Sequence, residues 1–186
     1  PSHLLSCLRQ KGKRQRPPEK RGKIKIEYSI HQRPESVKNR KQFGHWELDT
    51  MVSSRGKSKG TFATFVERTS RFFLAFKIPD RTSLSMNQVI STLRKKLPRK
   101  AMRTATVDRG SEFAGHMELK KELKLHLYFA DPYCSWQRGS NENANGLLRE
   151  FFPKKTDLAL VKEEELQRAL FLINSRPRKC LGWKTP

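Results

Sequence analysis

The sequence predicts an α/β fold in which a central mixed five-stranded sheet is flanked by helices. Three observations carry that reading. Short apolar stretches of strand length come first in a group of three and then twice more singly. Around the two single stretches the apolar positions switch to a spacing of three and four, the period of a helix packed on one face. The 186 residues are 35% hydrophobic and include 11 Phe and 3 Trp, enough apolar material for one buried core.

The first strand is "HWELDTMV", His45 to Val52, where Trp46, Leu48, Thr50 and Val52 point one way and Glu47, Asp49 and Met51 the other. Gly56 to Gly60, with Arg55, Lys57 and Lys59, makes a basic turn. "TFATFVE" (Thr61 to Glu67) and "RFFLAFKI" (Arg71 to Ile78), separated by a polar "RTS", complete an antiparallel meander. Thr82 or Ser83 then caps a helix whose Met86, Val89, Ile90, Leu93 and Leu97 form one stripe, ending before Pro98. "MRTATVD" returns to strand and finishes at Asp108. Ser111 opens a helix containing Phe113, Met117 and Leu123, and "LHLYFA", Leu125 to Ala130, is the fifth strand. After a "DPYCSW" loop, one helix runs from about Gly139 to Glu150. A last one, from about Lys162 to Asn174, buries Leu166, Ala169, Leu170 and Ile173.

Residues 1–42 read differently. They are rich in Lys and Arg, carry Pro17 and Pro18, and lack large apolar clusters, which describes a basic arm or linker that contacts phosphates. Within it "KIKIEYSI", Lys23 to Ile30, alternates and can pair as an edge strand.

The formal net charge of +22 and a pI near 10.4 exceed what solubility needs and point to a polyanionic partner. Nucleic acid fits better than an anionic membrane. No apolar run approaches the roughly 20 residues of a spanning helix, and no apolar h-region follows the basic start. The expected protein is soluble, cytoplasmic and nucleoid-associated. Cys7, Cys134 and Cys180 are odd in number and widely spaced, which gives neither a disulfide framework nor a CxxC knuckle. His116, His126 and Cys134 lack zinc-finger or ribbon spacing.

Against this basic background three acids stand out. Asp49 lies inside the first strand, Asp108 ends the fourth, and Glu142 lies on the helix after the fifth. Taken singly, each has an ordinary role: a solvent-facing strand residue, a turn former beside Gly110, a charge partner for Arg138 four residues earlier. Taken together, they sit at element ends that a mixed sheet can bring side by side. Carboxylates held that close repel one another unless a cation sits between them, and hard oxygen donors suit Mg²⁺. A pair of such ions near phosphate supports in-line displacement at a phosphodiester.

The motifs "GHWELDT", "FVERTSRF", "TATVDRGSEFAGH", "YFADPYCSWQRGSNENANGLLREFFPK" and "LINSRPRKCLGWKTP" resemble, in order, the catalytic core of bacterial insertion-sequence transposases of the type of insertion sequence thirty, relatives of retroviral integrases. The resemblance spans about Gly44 to Pro186. It implies a ribonuclease-H-like (integrase core) fold over residues 43–186 and a DDE triad of Asp49, Asp108 and Glu142 as catalytic residues and metal ligands. Thirty-three residues separate the second acid from the third, within the short spacing of the group. It further implies two Mg²⁺ ions, with Mn²⁺ as a substitute, and double-stranded DNA, both element ends and target, as partner. The chain is expected to be a homo-oligomer when bound to DNA. Water would cut a strand at the element end, and the freed 3′ hydroxyl would attack target DNA.

Other residues fit that chemistry. Asn141, Asn143 and Asn145 surround Glu142 with uncharged donors and acceptors that add no competing acid. Arg138, Arg149, Lys154, Lys155, Arg176, Arg178 and Lys179 are candidates to neutralise phosphates. Trp136 either stacks on an exposed base or anchors its loop to the core. Where the family usually has Asn after the second acid this chain has Arg109, which either pairs with Asp108 or points at DNA. The family's N-terminal helix-turn-helix region and final helix are not recognised, so a truncated transposase or isolated core is expected. The alternatives are a catalytically inactive remnant that only binds DNA and, on charge alone, an RNA-binding or ribosome-associated protein.

Overall fold

The computed structural model describes residues 24–54, 56, 58–98 and 100–186. Arg55 and Lys57 of the basic turn, Cys7 and most of the basic arm lie outside the described residues. The sheet has six strands: β1 (Tyr28–Ser29), β2 (His45–Val52), β3 (Thr61–Glu67), β4 (Phe73–Ile78), β5 (Thr104–Val107) and β6 (His126–Phe129). They lie in the order β1-β6-β5-β2-β3-β4. β2, β3 and β4 form the antiparallel meander, whereas β2 with β5, β5 with β6, and β6 with β1 pair in parallel. The five expected strands are present. The sixth is the short alternating segment at the end of the arm, which adds to the open edge of β6.

Residues 24–42 contribute further ordered elements beyond the expected edge strand. After β1 comes a 3-10 turn, Ile30–Gln32, then the short helix α1 (Glu35–Lys38). Ile30 and Val37 are buried.

Both faces of the sheet are covered. Trp46, Leu48, Ala63 and Phe65 look to one face, packed with Met86 and Ile90 of α2 (Ser83–Lys96) and Leu119 of α3 (His116–Leu123). Met51, Phe62, Val66 and Phe73 look to the other, packed with Leu148 of α4 (Gly139–Phe151) and Leu166, Leu170 and Ile173 of α5 (Glu163–Asn174). This is the two-way alternation of β2 realised as two cores, and each large side chain so buried contributes about 1.5–3 kcal/mol.

α2 begins as its sequence requires. Thr82 Oγ1 accepts the Ser85 N–H at 3.3 Å, and Asp80 accepts the hydroxyls of Thr82 and Ser85 at 2.6 and 2.7 Å. The single helix expected from Ser111 to Leu123 is instead a 3-10 turn, Ser111–Phe113, followed by α3. The break falls at Gly115, whose carbonyl accepts the Asn87 amide at 3.1 Å. A side chain at Gly115 would collide with Asn87, so packing of α2 overrides continuous helix there. Among the described residues no helix is long and apolar enough to cross a membrane.

Candidate active site

The parallel pairing of β2 with β5 sets the site. His45 faces Thr104, Trp46 faces Ala105 and Glu47 faces Thr106. Continued by two residues, this register places Asp49 beside Asp108 on neighbouring strands, which run about 4.8 Å apart. Asp49 shares its face of β2 with Met51, the face covered by α4.

Both carboxylates meet one guanidinium. Arg138 ends the 3-10 turn Ser135–Arg138 that leads into α4. Its Nη1 lies 3.1 Å from Asp49 Oδ2 and its Nη2 3.2 Å from Asp108 Oδ2. Nη1 also donates to the Leu48 carbonyl at 3.3 Å. The Arg138 side chain is only 12% exposed. Arg138 thus serves as the counter-charge of the two aspartates, neither the partner of Glu142 nor a freely exposed phosphate contact. Burial pushes the Asp49 carboxyl above the usual aspartate range and the nearby Asp108 charge adds to that, while Arg138 and the Thr50 N–H pull it back. That N–H donates to Asp49 Oδ1 at 2.8 Å, and the Gly110 N–H donates to Asp108 Oδ1 at 2.8 Å.

Glu142 occupies the first turn of α4 and is exposed. Among the described residues no three His, Cys, Asp or Glu side chains are arranged to hold a metal ion. Arg138 brings Asp49 and Asp108 together, and with Glu142 they do not form a three-ligand cluster among the described residues. The two aspartates by themselves fit a hard divalent cation: their oxygens already converge on a cationic group, and carboxylate oxygen is what Mg²⁺ accepts.

The three asparagines divide the work. Asn141, expected to contact DNA, instead lies fully buried. Its N–H donates to Glu47 Oε2 at 2.9 Å, its Nδ2 to the Glu47 carbonyl at 3.0 Å, and its Oδ1 accepts the Thr64 hydroxyl at 3.2 Å. Asn145, one helical turn on and hence on the same face, donates to Asp49 Oδ2 at 3.3 Å. Asn143 is exposed.

The remaining basic candidates also separate. Lys154, Lys155 and Lys179 are exposed. Arg149 donates to the Val52 carbonyl at 3.0 Å, and burial pushes its guanidinium below the ordinary value. Arg176 pairs with Glu150 at 3.1 Å, and Arg178 donates to the Ile173 carbonyl at 2.9 Å. Trp136 is 65% exposed, so it does not anchor its loop in the core. Arg109 is exposed, with Nε directed to the Ala130 carbonyl at 3.3 Å; the pairing with Asp108 belongs to Arg138.

Two site residues escaped the sequence reading. Glu47, fully buried, pairs with Arg68 as well as with Asn141. Glu112, also fully buried, takes Arg81 and Thr50. Each lies on a motif that also holds a triad acid, two residues before Asp49 and four after Asp108, and that proximity was the available signal.

An integrase core domain model matches residues 39–135. The transposase InsI of insertion sequence element IS30A from Escherichia coli (strain K12) is 42% identical over 157 residues, 84% of this chain and 40% of that protein. The transposase of insertion sequence element IS1086 from Cupriavidus metallidurans is 40% identical over 187 residues, 98% of this chain and 55% of that protein. The chain thus spans about half the length, or less, of these curated relatives. The crystal structure of the catalytic core domain of BIV integrase superposes with a TM-score of 0.58 at 24% identity, over 76% of this chain and 90% of that one, which supports the ribonuclease-H-like fold. With the motifs in order and β2 and β5 paired as that core requires, the chain belongs to the integrase core domain family, as a DDE transposase core of the IS30 type.

Proposed function

We propose that this chain is a catalytic core that cuts DNA and joins the cut end to a target. The observation that carries the proposal is the convergence of Asp49 and Asp108 on one cationic group at the ends of adjacent parallel strands. Asp49 and Asp108 would hold a divalent cation, and Glu142, from the start of α4, would be the third ligand of the triad. When bound, Mg²⁺ or Mn²⁺, as two ions, supplies activation of the attacking oxygen and stabilisation of the leaving one. In the first step a water oxygen bonds to phosphorus and the strand's 3′ oxygen leaves as a hydroxyl. In the second that hydroxyl attacks a target phosphate, and the target's own 3′ oxygen leaves.

The chain's other residues shape this chemistry. Asn145 holds an Asp49 oxygen without adding charge. Asn141 and Glu47 fix α4 against β2, so the position of Glu142 relative to Asp49 is set by buried bonds. Lys154, Lys155 and Lys179, which are exposed, would neutralise phosphates, and the exposed Trp136 would stack on a base. A homo-oligomer on DNA would hold two element ends at once.

A second reading, DNA binding without cutting, is favoured by one observation: Arg138 already neutralises both aspartates. The two readings part in a nicking assay on a labelled duplex carrying an element end, with DNA retention measured in parallel. Metal-dependent nicks lost in Asp108→Asn, with retention intact, support the first. Retention without nicks at any divalent cation supports the second.

A further inference from the structure

Glu112 lies in the 3-10 turn directly after the Asp108 loop and is fully buried. Its Oε1 accepts the Thr50 hydroxyl at 2.9 Å and Arg81 Nε at 2.8 Å, with Arg81 Nη2 at 2.7 Å. Its Oε2 is buried and has no hydrogen-bond partner. A carboxylate oxygen left in that condition is costly, and native proteins seldom retain one without a use.

Gly110 shows where Oε2 sits. A Cβ at Gly110 would overlap Glu112 Oε2 and stand 2.8 Å from Asp108 Oδ1. The two carboxylates therefore close on the same point of backbone, and only glycine leaves room between them. Thr50 is the neighbour of Asp49 on β2. One buried side chain thus reaches the strand that carries the first acid, the loop that carries the second, and Arg81 in the connection before α2.

We propose that Glu112 is a positioning residue of the centre: through the Thr50 hydroxyl and its close packing with Asp108 at Gly110 it fixes Asp49 and Asp108 relative to each other, and its buried charge strengthens the hold of those two acids on a divalent cation. The inference rests on the metal-dependent reading above. Partners of this kind behind metal ligands change metal affinity by about 10- to 100-fold.

The test is Mn²⁺ binding to the full chain, followed by electron paramagnetic resonance of the free ion, in the parent, Asp49→Asn, Glu112→Gln and Thr50→Val. Gln keeps the shape and the Oε1 bonds and removes the charge. The expected result is binding by the parent, loss in Asp49→Asn, an affinity about 10-fold weaker in Glu112→Gln, and a smaller loss in the same direction in Thr50→Val. A merely structural role would lower the melting temperature of Glu112→Gln and leave its Mn²⁺ affinity unmoved, and that outcome overturns the proposal. Should Glu112→Gln fail to fold, Thr50→Val decides alone, with parent affinity counting against. A parent that binds no Mn²⁺ defeats the metal reading and the Glu112 assignment with it, whereas loss confined to Asp49→Asn defeats Glu112 alone.

Discussion

Glu47 accepts the backbone N–H of Asn141 at 2.9 Å, and through this bond the strand that carries Asp49 holds the helix that carries Glu142. The other Glu47 oxygen is taken by Arg68, whose side chain is 6% exposed. Breaking such a buried pair from one side costs about 3–5 kcal/mol, so Glu47→Ala is expected to lose that much in denaturant unfolding. Asn141→Ala, which strands the Thr64 hydroxyl, is expected to lose about 1–3 kcal/mol. Both variants should cut DNA poorly and bind it normally. A fall in DNA affinity with stability unchanged in Asn141→Ala would instead restore Asn141 as a DNA contact.

Arg138 is the counter-charge of two carboxylates that are 23% and 34% exposed. Arg138→Gln leaves those charges facing each other, and with partial solvent screening the loss is expected to be about 1–3 kcal/mol. Because a cation that binds only the folded state adds stability by mass action, Mn²⁺ should raise the melting temperature of this variant more than that of the parent. Equal increments in the two proteins would contradict the placement of Arg138 between the aspartates.

Much of this arrangement was legible in the sequence, and what was hidden shares a cause. The alternation of "HWELDTMV" separates Trp46 and Leu48 from Met51, and these pack in different cores. A mixed sheet allows the first and fourth expected strands to lie side by side, and as β2 and β5 they do pair. The alternation of "KIKIEYSI" marked an edge strand, and Tyr28 and Ser29 supply it, but the alternation named neither β6 as the partner nor so short a pairing. Nor could spacing show that Asn141 faces inward while Asn143 faces out, or that Arg138 rather than Arg109 meets Asp108. Those outcomes depend on which turn of α4 meets β2, a tertiary fact. Glu47 and Glu112 read as ordinary charges until burial and their arginine partners are known.

His45 opens β2 and is buried, with Nδ1 2.8 Å from Thr104 Oγ1 and Nε2 3.1 Å from Gln42 Oε1. Burial holds its imidazole below the ordinary histidine value, and Arg103 lowers it further. As pH falls through the ordinary value, the unfolded chain takes up the proton first, so stability declines over that window and down to the folded value. Above the ordinary value both states are neutral and no slope arises from this group. Melting curves against pH should show that decline in the parent and lose much of it in His45→Gln; an unchanged slope in the variant would assign it elsewhere.

Salt dependence tests the exposed cations. Each phosphate neutralised contributes about 0.9 to the slope of log affinity against log salt on duplex DNA. Lys154→Ala and Lys155→Ala are each expected to reduce that slope by about one contact. Arg178→Ala should change it little, since its guanidinium is engaged with the Ile173 carbonyl. Slopes that move only with Arg178→Ala would place the DNA on another face.

The proposed joint action of Asp49, Asp108 and Glu142 on DNA requires a divalent cation. The most direct measurement is single-turnover cleavage and joining on a labelled duplex carrying an element end, with Mg²⁺, Mn²⁺ or chelator, for the parent and for Asp49→Asn, Asp108→Asn and Glu142→Gln. The expected result is a nick and joined product that need the metal and vanish in all three variants, with DNA retention preserved. Metal-dependent cutting that survives Glu142→Gln would contradict it.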